Sequence, residues 1–365
     1  MATLKVRELS DVLSELPDLA IFEPVSTDGI ADLFMCSLGF EPRCVAAPNR
    51  LKMAGIRARR VVYFEPSTNR ADNRTNLPAL SAALNEISDV VESLQSDDLD
   101  FGERLNRLLS LISRDKSREP LVYVDISVLS NRVLFRVLKA IFEANVNLIV
   151  IYSEAAVYHP TEKELKENWE YWKSDSTLGI ERGVSEVFPS REYPGQHLDP
   201  LPDYLILFPS FKAERTRAVI ARVDPSLLTL PGGKLFWIIG VPHVPEQRWR
   251  SGAMRKLNDI ERTAPQAEVT TFDYKEALKR LEMIYADKWK AYNITISPLG
   301  SKLQAIGTAM FCYLHPDVRL VFAIPKEYNA ALYSDGCANI WSIRFGSTAR
   351  IRELLESVGA LSIAD

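Results

Sequence analysis

The chain is poor in the residues that build metal centres, disulfide frameworks and acid–base sites. Its 365 residues include only four cysteines and four histidines. Cys36, Cys44, Cys312 and Cys337 show no CxxC spacing, and none of His159, His197, His243 and His315 stands at a metal-ligand spacing from another histidine or cysteine. No metal and no cofactor are therefore expected. Scattered thiols without a secretory leader point to a reducing cytoplasm. No apolar run reaches the length of a membrane span; the longest candidates, such as Val146–Tyr152, are strand-sized, so no membrane association is expected. A Walker phosphate loop, a GxGxxG after a strand and a GxSxG nucleophile elbow are also missing. Positive charge is not in excess: 44 Lys+Arg against 48 Asp+Glu leave a net charge of −4. That excludes a globally basic nucleic-acid coat, though not a local basic groove.

What is present is the balance of a globular protein with a sizeable core, 47% hydrophobic and 25% charged residues, in a length that suits two domains. The opening stretch, with Lys5, Arg7, Glu8 and Asp11 among its leucines, reads as a surface helix and lead-in over residues 1–30. Short β-rich apolar runs then alternate with helical stretches. Leu33–Leu38, Arg60–Phe64, Leu121–Ile126 and Asn147–Tyr152 form one series, and Tyr204–Phe208, Lys234–Gly240, Asn293–Ser297 and Val318–Ile324 a second. Such near-continuous apolar strands between helices predict an α/β protein with parallel sheets buried on both faces.

The two series also match in their polar positions. Phe211 lies 171 positions after Phe40, while Ser297, Lys302 and Tyr328 each lie 170 after Ser127, Arg132 and Tyr158. A near-constant offset across four landmarks predicts two tandem Rossmann-like units related by internal duplication. Pro189, Pro194, Gly195, Pro200 and Pro202 mark a linker. The expected organisation is a first unit over residues 31–188, a Pro-rich linker over 189–203 and a second unit over 204–365. The aromatic stretch Glu162–Lys173 is read as a helix closing the first half.

Open α/β sheets bind ligands at the carboxyl ends of their strands. In the second half, Ser297, Gly300, Ser301 and Lys302 sit between a strand and a helix, where free N–H groups, the helix dipole and an ammonium suit an anion such as phosphate. The first half offers Asp125, Ser127, Ser130, Asn131 and Arg132 in the same place. An ordinary capped helix fits the same residues. The first strand of each half ends in a second polar cluster, with Ser37, Glu41 and Arg43 in one half and Ser210, Glu214 and Arg215 in the other. Taken singly, Glu41, Arg43 and Glu214 fit better as internal ion pairs that fix a helix. After the second strands come Glu65-Pro-Ser67-Thr68-Asn69-Arg70 and a segment holding His243, Arg248, Trp249 and Arg250. The latter could stack a base, or be a solvated helical face with a half-buried tryptophan, the reading favoured here.

Carried by the polar end of each first strand, by Asp125-Ile-Ser127…Arg132 and by Thr295-Ile-Ser297…Lys302, the sequence resembles the CARF and SAVED group of Rossmann-like sensor domains. That resemblance implies binding of cyclic oligonucleotides in bacterial antiviral systems, and a SAVED domain is similar to two fused CARF-like units. Two departures stand out: the basic residue falls one position late, and Thr295 stands where Asp or Asn is expected. No nuclease, TIR or protease segment is recognised, so the resemblance implies an effector on a separate protein.

The leading expectation is thus a nucleotide-sensing module. A ligand with repeated phosphates would meet Ser127, Asn131 and Arg132 from one half and Ser297, Ser301 and Lys302 from the other. An enzyme acting on a nucleotide or phosphorylated small molecule, with Asp125 or Glu41 as acid/base, and a protein-interaction scaffold remain as alternatives.

Overall fold

A computed structural model describes residues 7–24, 29–113, 118–173, 181–229 and 233–358. The chain forms two compact units: Ser14–His159 with Ala330–Ser357 make the first lobe, and Pro160–Asn329 make most of the second.

The first lobe is built on five parallel strands, β1 (Leu33–Ser37), β2 (Val61–Glu65), β3 (Val91–Gln95), β4 (Leu121–Asp125) and β5 (Asn147–Ser153). Their spatial order is β3-β2-β1-β4-β5, followed by the antiparallel strand Ile340–Ser347 beside β5 and the short strand Ala20–Ile21 at the edge. All five residues of β1 are buried, as a central strand covered on both faces demands. Phe34, Tyr123, Ile149 and Ile151 of the sheet pack with Leu80, Leu84 and Ile87 of the helix Leu77–Ile87.

The second lobe repeats this plan. Its strands are β6 (Glu181–Pro194), β7 (Asp203–Phe208), β8 (Leu235–Val241), β9 (Gln266–Thr270), β10 (Asn293–Pro298) and β11 (Arg319–Tyr328). The order is β9-β8-β7-β10-β11, all parallel, with β6 antiparallel beside β11. In both lobes the strands, counted along the chain, lie 3-2-1-4-5 with one antiparallel strand next to the fifth. These are two Rossmann-like units related by internal duplication.

The unit boundaries differ from the expected ones. The segment read as a Pro-rich linker holds the end of β6, whose Pro189 and Pro194 are tolerated because this strand lies at a sheet edge. Ile340–Ser347, here β12, completes the sheet of the first lobe although it comes last in the chain. Trp169, Trp172 and Leu165 belong to the second lobe, where they pack with Phe211, Trp249 and Leu257. Of the expected N-terminal stretch, the helix Leu9–Glu15 is present with Leu9 and Val12 buried; Lys5 lies outside the described residues.

Every strand expected from an apolar run is present. Of the numbered strands, β3, β6, β9 and β12 were missed, as were the two-residue strands such as Ala20–Ile21; the numbered ones are polar or interrupted by proline and glycine. Two of them, β3 and β9, are half-exposed edge strands that need an apolar face on one side only.

The helix Lys302–Leu314 shows how closely the second lobe is packed. Ser301 caps it and Gln304 returns the bond in a capping box. A Cβ on Gly307 would overlap the Tyr274 carbonyl and lie 3.0 Å from the Leu278 nitrogen of the neighbouring helix Tyr274–Lys288. Gly307→Ala is therefore expected to destabilise the protein by about 1–3 kcal/mol, against alanine's better helix propensity. Urea unfolding of the two proteins measures it.

Candidate functional site

In each sheet the chain reverses its order of addition between the first and fourth strands: β1 beside β4, and β7 beside β10. The loops leaving these two carboxyl ends diverge to opposite faces and define the crevice where ligands bind in doubly wound sheets.

In the first lobe the two loops meet closely. A Cβ on Gly39 would stand 3.0 Å from Val128, so glycine is what lets the loop after β1 approach the loop after β4. Asn76 holds the former by donating to the carbonyls of Gly39 (2.8 Å) and Phe40 (2.9 Å). Behind it lies a buried ion pair. Arg43, 4% exposed, donates from Nε to Glu41 Oε2 at 3.0 Å, and its Nη2 lies 2.8 Å from the same oxygen. Its Nη1 donates to the Ser153 carbonyl at the end of β5, 2.9 Å away. The rings of Tyr152 and Tyr158 stand 5.9 and 5.8 Å from the guanidinium, and the Ser334 hydroxyl donates to Glu41 Oε2. Burial works to lower the Arg43 pKa, but Glu41, with smaller contributions from Tyr152, Tyr158 and Tyr333, raises it on balance. The internal Glu–Arg pair favoured by the sequence is thus present at Glu41–Arg43.

Asp125, at the end of β4, accepts from the Ser127 backbone nitrogen (3.0 Å) and from the Ser127 hydroxyl. Ser127 Oγ in turn accepts from the Ser153 nitrogen at 2.7 Å, tying the loop after β4 to β5. Burial pushes the Asp125 carboxyl up from 3.8 to about 6, with the Ser127 bonds and Arg43 opposing the rise. Ser37 donates to the carbonyls of Leu38 (3.0 Å) and Phe64 (3.2 Å). Ser130 caps the helix Asn131–Glu143. Asn131 opens that helix and is half-buried; Arg132 follows it and pairs with Asp97 at 3.2 Å, while Asp97 also accepts from the Ser67 nitrogen at 2.7 Å.

The second lobe reproduces the pattern with different partners. Arg215 donates to the Ala323 carbonyl on β11, the counterpart of β5, at 2.8 and 3.2 Å, and pairs with Glu181. Its carboxylate partner comes from β6 rather than from the adjoining loop, and Glu214 is not that partner. Ser297 donates to the Val321 carbonyl at 2.9 Å, so both Ser127 and Ser297 fasten the end of a fourth strand to the fifth. Ser210 Oγ accepts from the Lys212 nitrogen at 3.1 Å. Ser301 donates to the Thr271 carbonyl at 2.7 Å, and Gly300 is packed against Phe208 and Gln304.

One correspondence drawn from the sequence shifts. Ser130 and Ser301 are both N-caps, so Lys302 is the first helical residue and matches Asn131, whereas Arg132 is the second. The sequence offset of 170 aligned the cations; the caps stand 171 apart because the loops between strand and helix differ.

Lys302 is half-buried beside the loop after β9, whose Thr271 carbonyl accepts from Ser301. The next residue, Phe272, is stacked on His243 from the loop after β8, with ring centroids 3.7 Å apart and planes 22° apart. His243 is exposed. This stack escaped the sequence reading because Phe272 follows a strand without an apolar run. Trp249 is half-buried, as expected, and packs in the small aromatic cluster; Arg250, expected on a solvated face, is instead half-buried, with its guanidinium 5.2 Å from the Trp249 ring and donating to the Pro160 carbonyl at 2.7 Å. A polar groove of about 660 Å3 lies at the opposite, amino end of β4, lined by Asn106, Ser110, Arg118 and Asn145 among others, away from all these residues. Among the described residues no helix is long and apolar enough to cross a membrane, and no group of three or more His, Cys, Asp and Glu is placed to hold a metal.

No protein-family model matches the chain, and no curated protein matches it. Solved structures similar to it include a type III CRISPR defence DNA nuclease activated by cyclic oligoadenylate, at 10% identity and TM-score 0.48, covering 81% of this chain and 67% of that one. The cytoplasmic domain of a prokaryotic cation chloride cotransporter matches at 10% identity and TM-score 0.22, covering 83% of this chain and 98% of that one. A functionally unknown protein from Pseudomonas aeruginosa PAO1 matches at 11% identity and TM-score 0.23, covering 81% and 93%.

Two stability predictions follow from the first lobe. Glu41→Ala leaves the Arg43 charge buried without its partner and should cost about 3–5 kcal/mol. Asp125 binds its proton more tightly folded than unfolded, so the stability it contributes is complete below pH 3.8 and lost as the pH rises through about 6. Between pH values of about 4 and about 8, the stability of Asp125→Asn should improve relative to the parent by on the order of 2–3 kcal/mol. Denaturant titrations across that range check both.

Proposed function

We propose that this chain is a nucleotide-sensing module that binds a cyclic or linear oligonucleotide, or a related phosphorylated ligand, at the carboxyl edges of its duplicated sheets. It would act with a separate effector protein in antiviral defence, the role implied by its resemblance to CARF- and SAVED-type sensors. The observation that carries the binding reading is the recurrence of one 3-2-1-4-5 sheet with a capped helix opening at each crevice. A helix start directs free N–H groups and the positive end of its dipole at an anion.

In the second lobe, Lys302 adds its ammonium at the first helical position, and the His243–Phe272 stack next to it offers a surface on which a base can stack. In the first lobe, Asn131 and Arg132 occupy the corresponding turn, with Arg132 held by Asp97 until a phosphate competes for it. Sensing is favoured over turnover because both acid/base candidates are committed internally: Asp125 to Ser127, Glu41 to Arg43 and Ser334.

A thermal-shift and calorimetric screen with cyclic and linear oligonucleotides tests the reading. A binding oligonucleotide should raise the melting temperature, and Lys302→Ala or Arg132→Ala should weaken it about tenfold each, roughly 1.4 kcal/mol. Affinity should also fall as salt rises. Folded protein that responds to no oligonucleotide at high concentration would overturn it.

A further inference from the structure

The carboxyl edge of the first lobe is crossed by a short piece of chain from the far end of the sequence. The segment between Tyr333 and Asn339 leads into β12, which runs antiparallel beside β5 with Ile340 opposite Ser153. Ser334 and Asp335 pair with Val157 and Tyr158, a ladder only two residues long. On the other side of the crevice Tyr333 packs edge-on against Phe40, with ring centroids 5.5 Å apart, and the Ser334 hydroxyl reaches Glu41. The segment thus runs from the fifth strand to the loop after the first and passes the end of the fourth.

Beneath this segment lies the Glu41–Arg43 pair. Arg43 is shut in by Tyr152 and Tyr158, whose hydroxyls are 2.7 Å apart. Ser153, which accepts from Arg43 through its carbonyl, has a fully buried hydroxyl with no hydrogen-bond partner among the described residues. The end of β5 thus holds a buried polar group still able to accept or donate a hydrogen bond, beside a strand whose carbonyl Arg43 already uses.

The cover is held by polar contacts and buries little apolar area. From Asp335 to Asn339 every residue is exposed, and Gly336 takes a positive φ of 63°. Ser334 is the buried residue of the segment, and it buries a hydroxyl on a carboxylate rather than apolar area. The remaining ties are polar: Asp335 to His159 at 2.9 Å, the Ala338 nitrogen to the Glu154 carbonyl at 2.8 Å, the Glu154 nitrogen to the Asn339 carbonyl at 2.9 Å, and the His159 nitrogen to the Tyr333 carbonyl at 3.2 Å. A stretch with so little buried apolar surface belongs to the low-stability end of a fold, where local opening precedes global unfolding.

We propose that residues 333–339 form an occluding strap, latched by the Ser334–Glu41 hydrogen bond, and that its opening is what admits an anionic ligand to Arg43. In the closed state Glu41 occupies the guanidinium. On opening, a phosphate or phosphodiester takes the place of Glu41 on Arg43, and the released carboxylate no longer holds Ser334, so ligand binding and strap release favour one another. The inference rests on the nucleotide reading above for the identity of the ligand, but not for the existence of the strap. The occlusion lowers the apparent affinity by the fraction of molecules that are open.

Hydrogen exchange on the full-length chain tests the strap, and binding of the oligonucleotide panel tests its purpose. Ser334→Ala, which leaves the Glu41–Arg43 pair in place, should speed exchange of peptides covering residues 333–339 and 155–159 about tenfold while peptides from β1 and β4 are unchanged. Equal rates in parent and variant, or acceleration spread evenly over the first lobe, would overturn the proposal. Ser334→Ala should also bind a responding oligonucleotide several-fold more tightly than the parent, and Arg43→Gln should abolish that gain. Binding that is indifferent to both substitutions sinks the strap's role while leaving the proposed function intact. If no oligonucleotide binds either protein, the nucleotide reading fails, and the strap is then upheld or overturned by the exchange rates alone.

Discussion

Each lobe depends on one interaction: an arginine, buried in the first lobe and partly buried in the second, that starts just after the first strand and donates to a backbone carbonyl of the fifth. Arg43 reaches Ser153 and Arg215 reaches Ala323. The fourth strand lies between, so each arginine ties the chain leaving the first strand to the fifth. A guanidinium removed from water in this way is tolerable only when its donors are filled and its charge is matched. That requirement accounts for Glu41 and Glu181, and, in the first lobe, for the tyrosines around the pair.

The duplicated plan is kept in its backbone and varied in its polar partners. Ser127 and Ser297 both bind the fourth strand to the fifth, one as acceptor from Ser153 nitrogen and the other as donor to the Val321 carbonyl. The carboxylates that match the arginines come from different parts of the chain, the adjoining loop in one lobe and an added antiparallel strand in the other. Such exchange of partners is what duplicated copies permit: the charge has to be balanced, but any nearby element can supply the balance. The result is two crevices of one ancestry with unlike surroundings, a half-buried lysine beside an aromatic stack in one and an arginine under a polar strap in the other.

Much of this was legible in the residues. Central parallel strands are buried on both faces, so Leu33–Ser37 and Asp203–Phe208 show as unbroken apolar runs with little ambiguity. Gly300 and Ser301 stood at the start of a helix, where a close turn and a cap belong, whereas the return bond from Gln304 and the close approach at Gly39 came only with the structure. Strands β3 and β9 stayed hidden because an edge strand packs on one neighbour and needs few apolar residues. The equivalence of Arg132 with Lys302 failed by one position, since a count along the chain cannot tell a loop residue from a helical one.

The sequence by itself determined the class of fold, the duplication and the placing of polar clusters after particular strands, because periodicity and spacing are local properties of the chain. Only tertiary structure decided which of those polar groups are spent on the protein itself. Ser37, Ser127 and Ser297 look like ligand donors until neighbouring strands bring carbonyl and amide groups within their reach. Ser334 gave no sign of importance until β12 carried it to Glu41, 293 residues away in the chain. Pairing across such distances follows from sheet order and burial, which no short stretch of residues encodes.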